Sequence, residues 1–270
     1  MPKNSRLFTL IASAAMAVVI VPQARPQTPA PAPPQAPPGF DLAFAMNALY
    51  GDYDAAHGTS TSTADVSGPE FINYPAGQKI TVKPFFAAAS SITGEVFVAT
   101  YSVPATGEFD CHACEPLLGF AVFQKSGATW KIEGSEKPDL IFGEYGNPPT
   151  AQLFQFGEHH SGIQLSNTDG GQGVLDTEVM LLVPWNGGFS QAWSGLVSSD
   201  DSMYCGAQTP SPCYGYKVDL KFMKGANPEY DDLIVTTSGT DLTDDATPVV
   251  KNVAGVVHLR FADAKYVPAK

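Results

Sequence analysis

Basic residues are scarce in this chain: 15 lysines and arginines stand against 27 aspartates and glutamates, for a formal charge of −12. A surface that tracks phosphates needs clustered Lys and Arg, and here they fall singly along the sequence, so no nucleic-acid partner is expected. Familiar catalytic signatures are missing too. There is no Gly-x-Ser-x-Gly elbow, Ser-x-x-Lys pair, His-Glu-x-x-His helix or Walker loop. That absence weakens hydrolase readings, although a triad or carboxylate pair assembled from dispersed residues leaves no such local mark. No fixed period of the kind repeat proteins show is present. No cysteine precedes Cys111, which removes the lipid-modified cysteine of a lipoprotein from the N-terminal region. Nor does any apolar run reach the roughly 20 residues a helix needs to cross a hydrocarbon core.

What is present begins with a leader. Lys3 and Arg6 precede an uncharged apolar run from Leu7 to Val21, the charged and apolar regions of a secretory signal. Small residues at Ala15 and Ala17, and at Ala24, suit signal peptidase, so residues 1–24 are expected to direct export and be removed. The product is then soluble and periplasmic or extracellular; an uncleaved anchor is the alternative. Residues 25–39 contain TPAPAPPQAPP (Thr28–Pro38), which favours extended polyproline and cannot bury a core, so they read as a disordered spacer. Lys3, Arg6 and Arg25 belong to these two segments, and the remaining chain is three charges more negative than the whole. Residues 40–270 suit one β-rich domain.

Within it, Asp41 is an N-cap candidate, Leu42 to Leu49 are helix formers and Gly51 is a C-terminal stop, which predicts a short helix. Downstream the period becomes two. Lys217 to Phe222 and Val256 to Phe261 alternate between polar and apolar residues. Two hairpins are marked by glycine turns: Leu118–Gln124 returning as Thr129–Glu133, and Val179–Trp185 returning as Phe189–Val197 across Asn186-Gly187-Gly188. Further strands are expected at 79–86, 95–103, 151–156, 162–166 and 232–237. The fold class is mainly β, an antiparallel sandwich or curved meander with one short N-terminal helix, and an incomplete propeller is the weaker option.

Four cysteines in an exported chain predict two structural disulfides, and their grouping favours the local pairs Cys111/Cys114 and Cys205/Cys213. Cys111-His112-Ala113-Cys114 is also the spacing of thiol-exchange motifs, but no helix follows to lower a thiolate pKa. Glu115 stands where covalent haem would require histidine. A zinc site from four sulfurs, or three with His112, would need both pairs to converge. Glu158-His159-His160 looks metal-friendly, yet neighbours on a strand face opposite ways, so His159 and His160 read as a polar hairpin tip. Asn167-Thr168-Asp169-Gly170-Gly171 resembles part of a calcium loop without its closing glutamate, and reads as a turn. Asp231-Asp232 and Asp241, Asp244 and Asp245 carry calcium-type oxygens but equally suit polar turns. No cofactor is expected; calcium and zinc are the ions to consider. Trp130 fits an inward position beside Ile132, whereas Trp185 and Trp193 flank a hairpin where they would pack in the core or form a platform for sugars or peptides.

The leading expectation is a non-enzymatic exported module that binds a protein or an envelope glycan, one version being a stoichiometric inhibitor of a cationic secreted enzyme. The alternatives are a thiol–disulfide or metal-dependent protein centred on Cys111 and Cys114, and a hydrolase with a dispersed site. No catalytic residue is assignable.

Overall fold

A computed structural model describes residues 34–106, 109, 111–171, 173–201, 205, 213–243 and 249–269. The predicted signal lies outside the described residues, as does most of the spacer. The spacer's last residues lie against the domain: the Phe40 amide donates to Pro37 O, and Ala36 packs beside Phe40. All the described residues fall in one unit, Pro31–Lys270.

Helix α1 (Leu42–Tyr50) forms where its caps place it. The Asp41 carboxylate accepts from the Ala43 amide, and Gly51, at φ 92°, returns its own amide to Asn47 O. Its buried residues, Ala45 and Met46, lie on the first of two antiparallel sheets. That sheet contains β1 (Ser60–Thr63), β2 (Lys79–Ala89), β3 (Val96–Pro104), β4 (Leu117–Ser126) and β5 (Thr129–Ile141) in sequence order. The second runs, also in order, through β6 (Thr150–Gly157), β7 (His160–Gly171), β8 (Val174–Trp185), β9 (Gly188–Asp200), β10 (Gly215–Lys224), β11 (Asp231–Leu242), β12 (Val250–Ala262) and β13 (Lys265–Pro268). Sandwich and meander are therefore both present. The two-residue turn Asn186-Gly187 has φ 50° and 79°, the left-handed pair that matches strand twist.

The strands β3 and β4 do not alternate as half-buried strands would. From Val96 to Ser102 and from Leu117 to Phe123 every residue is buried. Both faces are covered: Val98, Ala121 and Phe123 meet the helix layer, while Phe97, Phe120 and Val122 meet Ile163, Leu165, Met180 and Leu182 of the second sheet. In these two stretches the period of two expected downstream of α1 gives way to burial of every residue. Trp130 is half-buried, its indole N–H bonding Gly39 O and its ring lying edge-on to Phe40, but Ile132, just before the β5 bulge, is 39% exposed.

The second sheet curls. Strands β9 and β10 pair only at Ser198–Asp200 with Gly215–Lys217, and β10–β13 then fold over the sheet's other face. Phe154 and Phe156 on one edge consequently share a core with Leu233, Phe261 and Tyr266 near the other. Strand β8 is the common wall: Val179, Leu181 and Val183 point into this half-barrel, and Met180 and Leu182 into the sandwich. No helix among the described residues is long and apolar enough to cross a membrane.

Candidate functional site

Where the end of β7 and the start of β8 run past the sandwich core, a pocket of about 390 Å³ opens against the loops that carry Cys111–Cys114 and Glu144. Its lining holds one imidazole, His112, and five carboxylates, from Glu115, Glu144, Asp169, Asp176 and Glu178. No lysine or arginine lines it. The ladder itself creates the crowding, since register places Asp169 directly opposite Asp176 and Asn167 opposite Glu178. Side chains so paired stand about 5 Å apart on one face, and like charges there destabilise a sheet.

His112 and Glu144 arrive from loops. His112 lies between the two sulfurs of the Cys111–Cys114 pair, which are at disulfide distance, and the Gly146 amide donates to Cys114 O at 2.6 Å. That bond docks the tight Glu144–Asn147 turn, in which Tyr145 adopts φ 49°, onto the cysteine loop. Left-handed backbone at a bulky residue is strained, and here it sets the Tyr145 ring edge-on to His112, 5.1 Å between centroids. The His112 Nε2 lies 2.7 Å from Asp169 Oδ1 and 3.9 Å from Glu144 Oε2. Ligand atoms of these three residues all lie within 4.8 Å of one another.

The carboxyls here divide into two kinds. Burial raises the Glu144 pKa, helped by a hydrogen bond to and the charge of Asp169. At Asp169 burial works against the charge, but hydrogen bonds from His112 and Glu144 outweigh it and lower the pKa. Burial, then the charge of Glu178, raises Glu115. Two oxygens, Glu144 Oε2 and Asp176 Oδ1, are shielded from solvent and lack a hydrogen-bond partner. Buried unpaired acceptors are costly, which makes both stand out.

Raised carboxyls make stability depend on pH. On β5, desolvation, then the charge and hydrogen bond of Glu136, takes Asp139 from 3.8 to about 6. A group whose folded pKa is raised holds its proton better when folded, so its contribution is intact below the unfolded pKa and is lost as pH climbs through the folded one. The ion-free protein should therefore lose thermal stability between about pH 4 and 6. Melting followed by circular dichroism should show that decline, less steep in Asp139→Asn; a midpoint that rises across the window would contradict it.

Other sequence candidates fall elsewhere. Cys205 and Cys213 are likewise at disulfide distance, so although Asp201 converges with them, neither sulfur is a free thiolate. The four sulfurs thus pair locally, Cys111 with Cys114 and Cys205 with Cys213. The Glu158-His159 turn separates β6 from β7: Glu158 pairs with Lys224, and His160 stacks on Tyr230 at 4.6 Å. The segment Asn167–Gly171 is not a turn but the end of β7, laddered to Val174. Asp232 bonds His258 Nε2 and Asp241 bonds its neighbour's amide, well apart along β11; Asp244 and Asp245 lie outside the described residues. Trp185 and Trp193 are half-buried against the half-barrel core, Trp185 meeting Phe261 edge-on at 5.9 Å.

Sequence reasoning weighed His112 only as a partner in a sulfur-based zinc site and read Asp169 as part of a turn, and it missed Glu115, Glu144, Asp176 and Glu178 as pocket residues. The signal that would have found two of them is register: extending β7 through Gly171 puts β8 carboxylates opposite it. Compared with known protein families, with curated proteins and with solved structures, the chain matches none.

Proposed function

We propose that this chain is an exported, non-enzymatic binding module whose working site is the acidic pocket, and that the pocket takes a divalent cation of the zinc class through His112, Glu144 and Asp169. The observation that carries the reading is the cluster of facing carboxylates with two shielded, unpartnered oxygens and no lysine or arginine among them. A divalent ion supplies the missing counter-charge and the missing partners together. An imidazole with carboxylate oxygens is a borderline donor set, which favours zinc over calcium or magnesium. Three protein ligands leave a further zinc position open, where a carboxylate of a protein or envelope glycan can attach.

Calorimetric titration of the full chain, freed of metal with a chelator, tests this with zinc, calcium and magnesium chlorides in turn. Zinc is expected to bind one-to-one and most tightly, with a stabilisation of about 2.7 kcal/mol at a hundredfold excess over Kd. His112→Ala and Asp169→Asn should each weaken it by about tenfold or more. Saturable binding by none of the three ions, or zinc binding untouched by both substitutions, would overturn the proposal.

A second reading draws on the opposed shifts of Glu144 and Asp169, the pattern of a general acid beside an ionised partner. On that reading the pocket hydrolyses a glycan, and release of reducing ends from envelope polysaccharide, abolished in Glu144→Gln, would be seen.

A further inference from the structure

We infer that the Cys111–Cys114 disulfide gates this pocket, so that reducing it loosens the cation's hold; the inference rests on the cation reading above. Two of the three ligands depend on that bond for their position. His112 is one of only two residues enclosed between the sulfurs, whose Cα atoms are 5.0 Å apart, and the Cys114 amide closes the same loop onto Cys111 O at 2.9 Å. Cys114 O receives the Gly146 amide, tying the Glu144 turn to this loop. The third ligand, Asp169, needs no such help, because it stands on a paired strand. The disulfide is thus the joint at which the imidazole and one carboxylate are held against the other carboxylate.

The two cysteines are unequally exposed. Cys111 is exposed, whereas Cys114 is buried at 6% exposure. A dithiol reductant therefore attacks the Cys111 sulfur, forming a mixed disulfide and releasing Cys114 as thiolate. The reductant's second thiol then displaces Cys111, leaving a cyclic disulfide and two protein thiols, with two electrons and two protons transferred. The Cys205–Cys213 pair lies in the β9–β10 connection and holds none of the three ligands, which makes it the internal control.

The test compares zinc binding by calorimetry in three full-length proteins. Cys111→Ser/Cys114→Ser should bind about tenfold more weakly than wild type, the loss expected when a ligand's support is removed. Cys205→Ser/Cys213→Ser should stay within about twofold, since its disulfide supports no ligand. Serine is used because free thiolates beside His112 would themselves attract zinc. Wild type reduced by a dithiol, with manganese as the ion because it prefers oxygen donors, supplies a second measurement should the serine variant fail to fold. Manganese affinity should fall there as well. Equal affinities in the oxidised and reduced proteins would overturn the gating while leaving the pocket intact as a site; no binding by the oxidised wild type would remove both.

Discussion

Phe97→Ala is expected to destabilise the domain by about 4 kcal/mol, a drop in melting temperature near 10 °C for a chain of this size. Phe97 is fully buried where the two sheets face each other, among Phe120, Val122, Ile163 and Leu182. Neither sheet can collapse into the void, because β3 is pinned from behind by α1 and β8 is pinned from behind by the half-barrel core. The loss therefore combines the transfer of a phenyl ring with a cavity that stays open. Ile132→Ala, at a site 39% exposed on the bulged β5, is the companion measurement and should cost under about 1 kcal/mol. A Phe97→Ala loss below about 1.5 kcal/mol in urea unfolding would mean that the sheets do not pack there.

Gly162→Ala should do comparable damage from the opposite direction. Gly162 is buried on β7 opposite Phe154. A methyl group there would run into the Leu182 carbonyl oxygen and sit 2.6 Å from the Phe154 ring, and the carbonyl is locked in the β7–β8 ladder. Phe154 has no freedom to swing aside, being stacked on Phe222 at 5.1 Å. Overpacking of this kind costs about 3 kcal/mol. Gly255→Ala on β12, where an added methyl meets nothing within 4 Å, should change stability by less than about 0.5 kcal/mol. If the two glycine variants melt together, the close approach of β7 to β8 and Phe154 is not real.

These two sites also show what one sequence can and cannot reveal. The caps Asp41 and Gly51 and the turn Asn186-Gly187 act through bonds to near neighbours, so local chemistry was enough to place α1 and the β8–β9 hairpin. Burial on both faces of β3 and β4 is different, because it depends on α1 and β7–β8 arriving from either side, and an apolar run does not say what will cover it. The pocket is harder still. The side chains that converge there sit at 112, 144 and 169, and what unites them is a disulfide loop, a strained turn at Tyr145 and a strand end that polarity alone had marked as a turn. His112 was visible as a ligand type but not its company. Strand register, which decides that Asp169 meets Asp176, is written in pairings far beyond either residue's neighbours.

The meander order has a consequence for how this molecule is born. Among the described residues, each of the thirteen strands bonds only to strands adjacent in sequence, apart from the break between the sheets. A chain delivered N-terminus first can thus zip each newcomer's ladder onto the edge just laid down, while the core around Phe154 and Phe156 closes only when β11–β13 arrive. The same growth rule makes truncation hazardous. A chain halted anywhere within the second sheet would present a fresh, uncapped row of amides and carbonyls to its surroundings, the template on which aggregates grow.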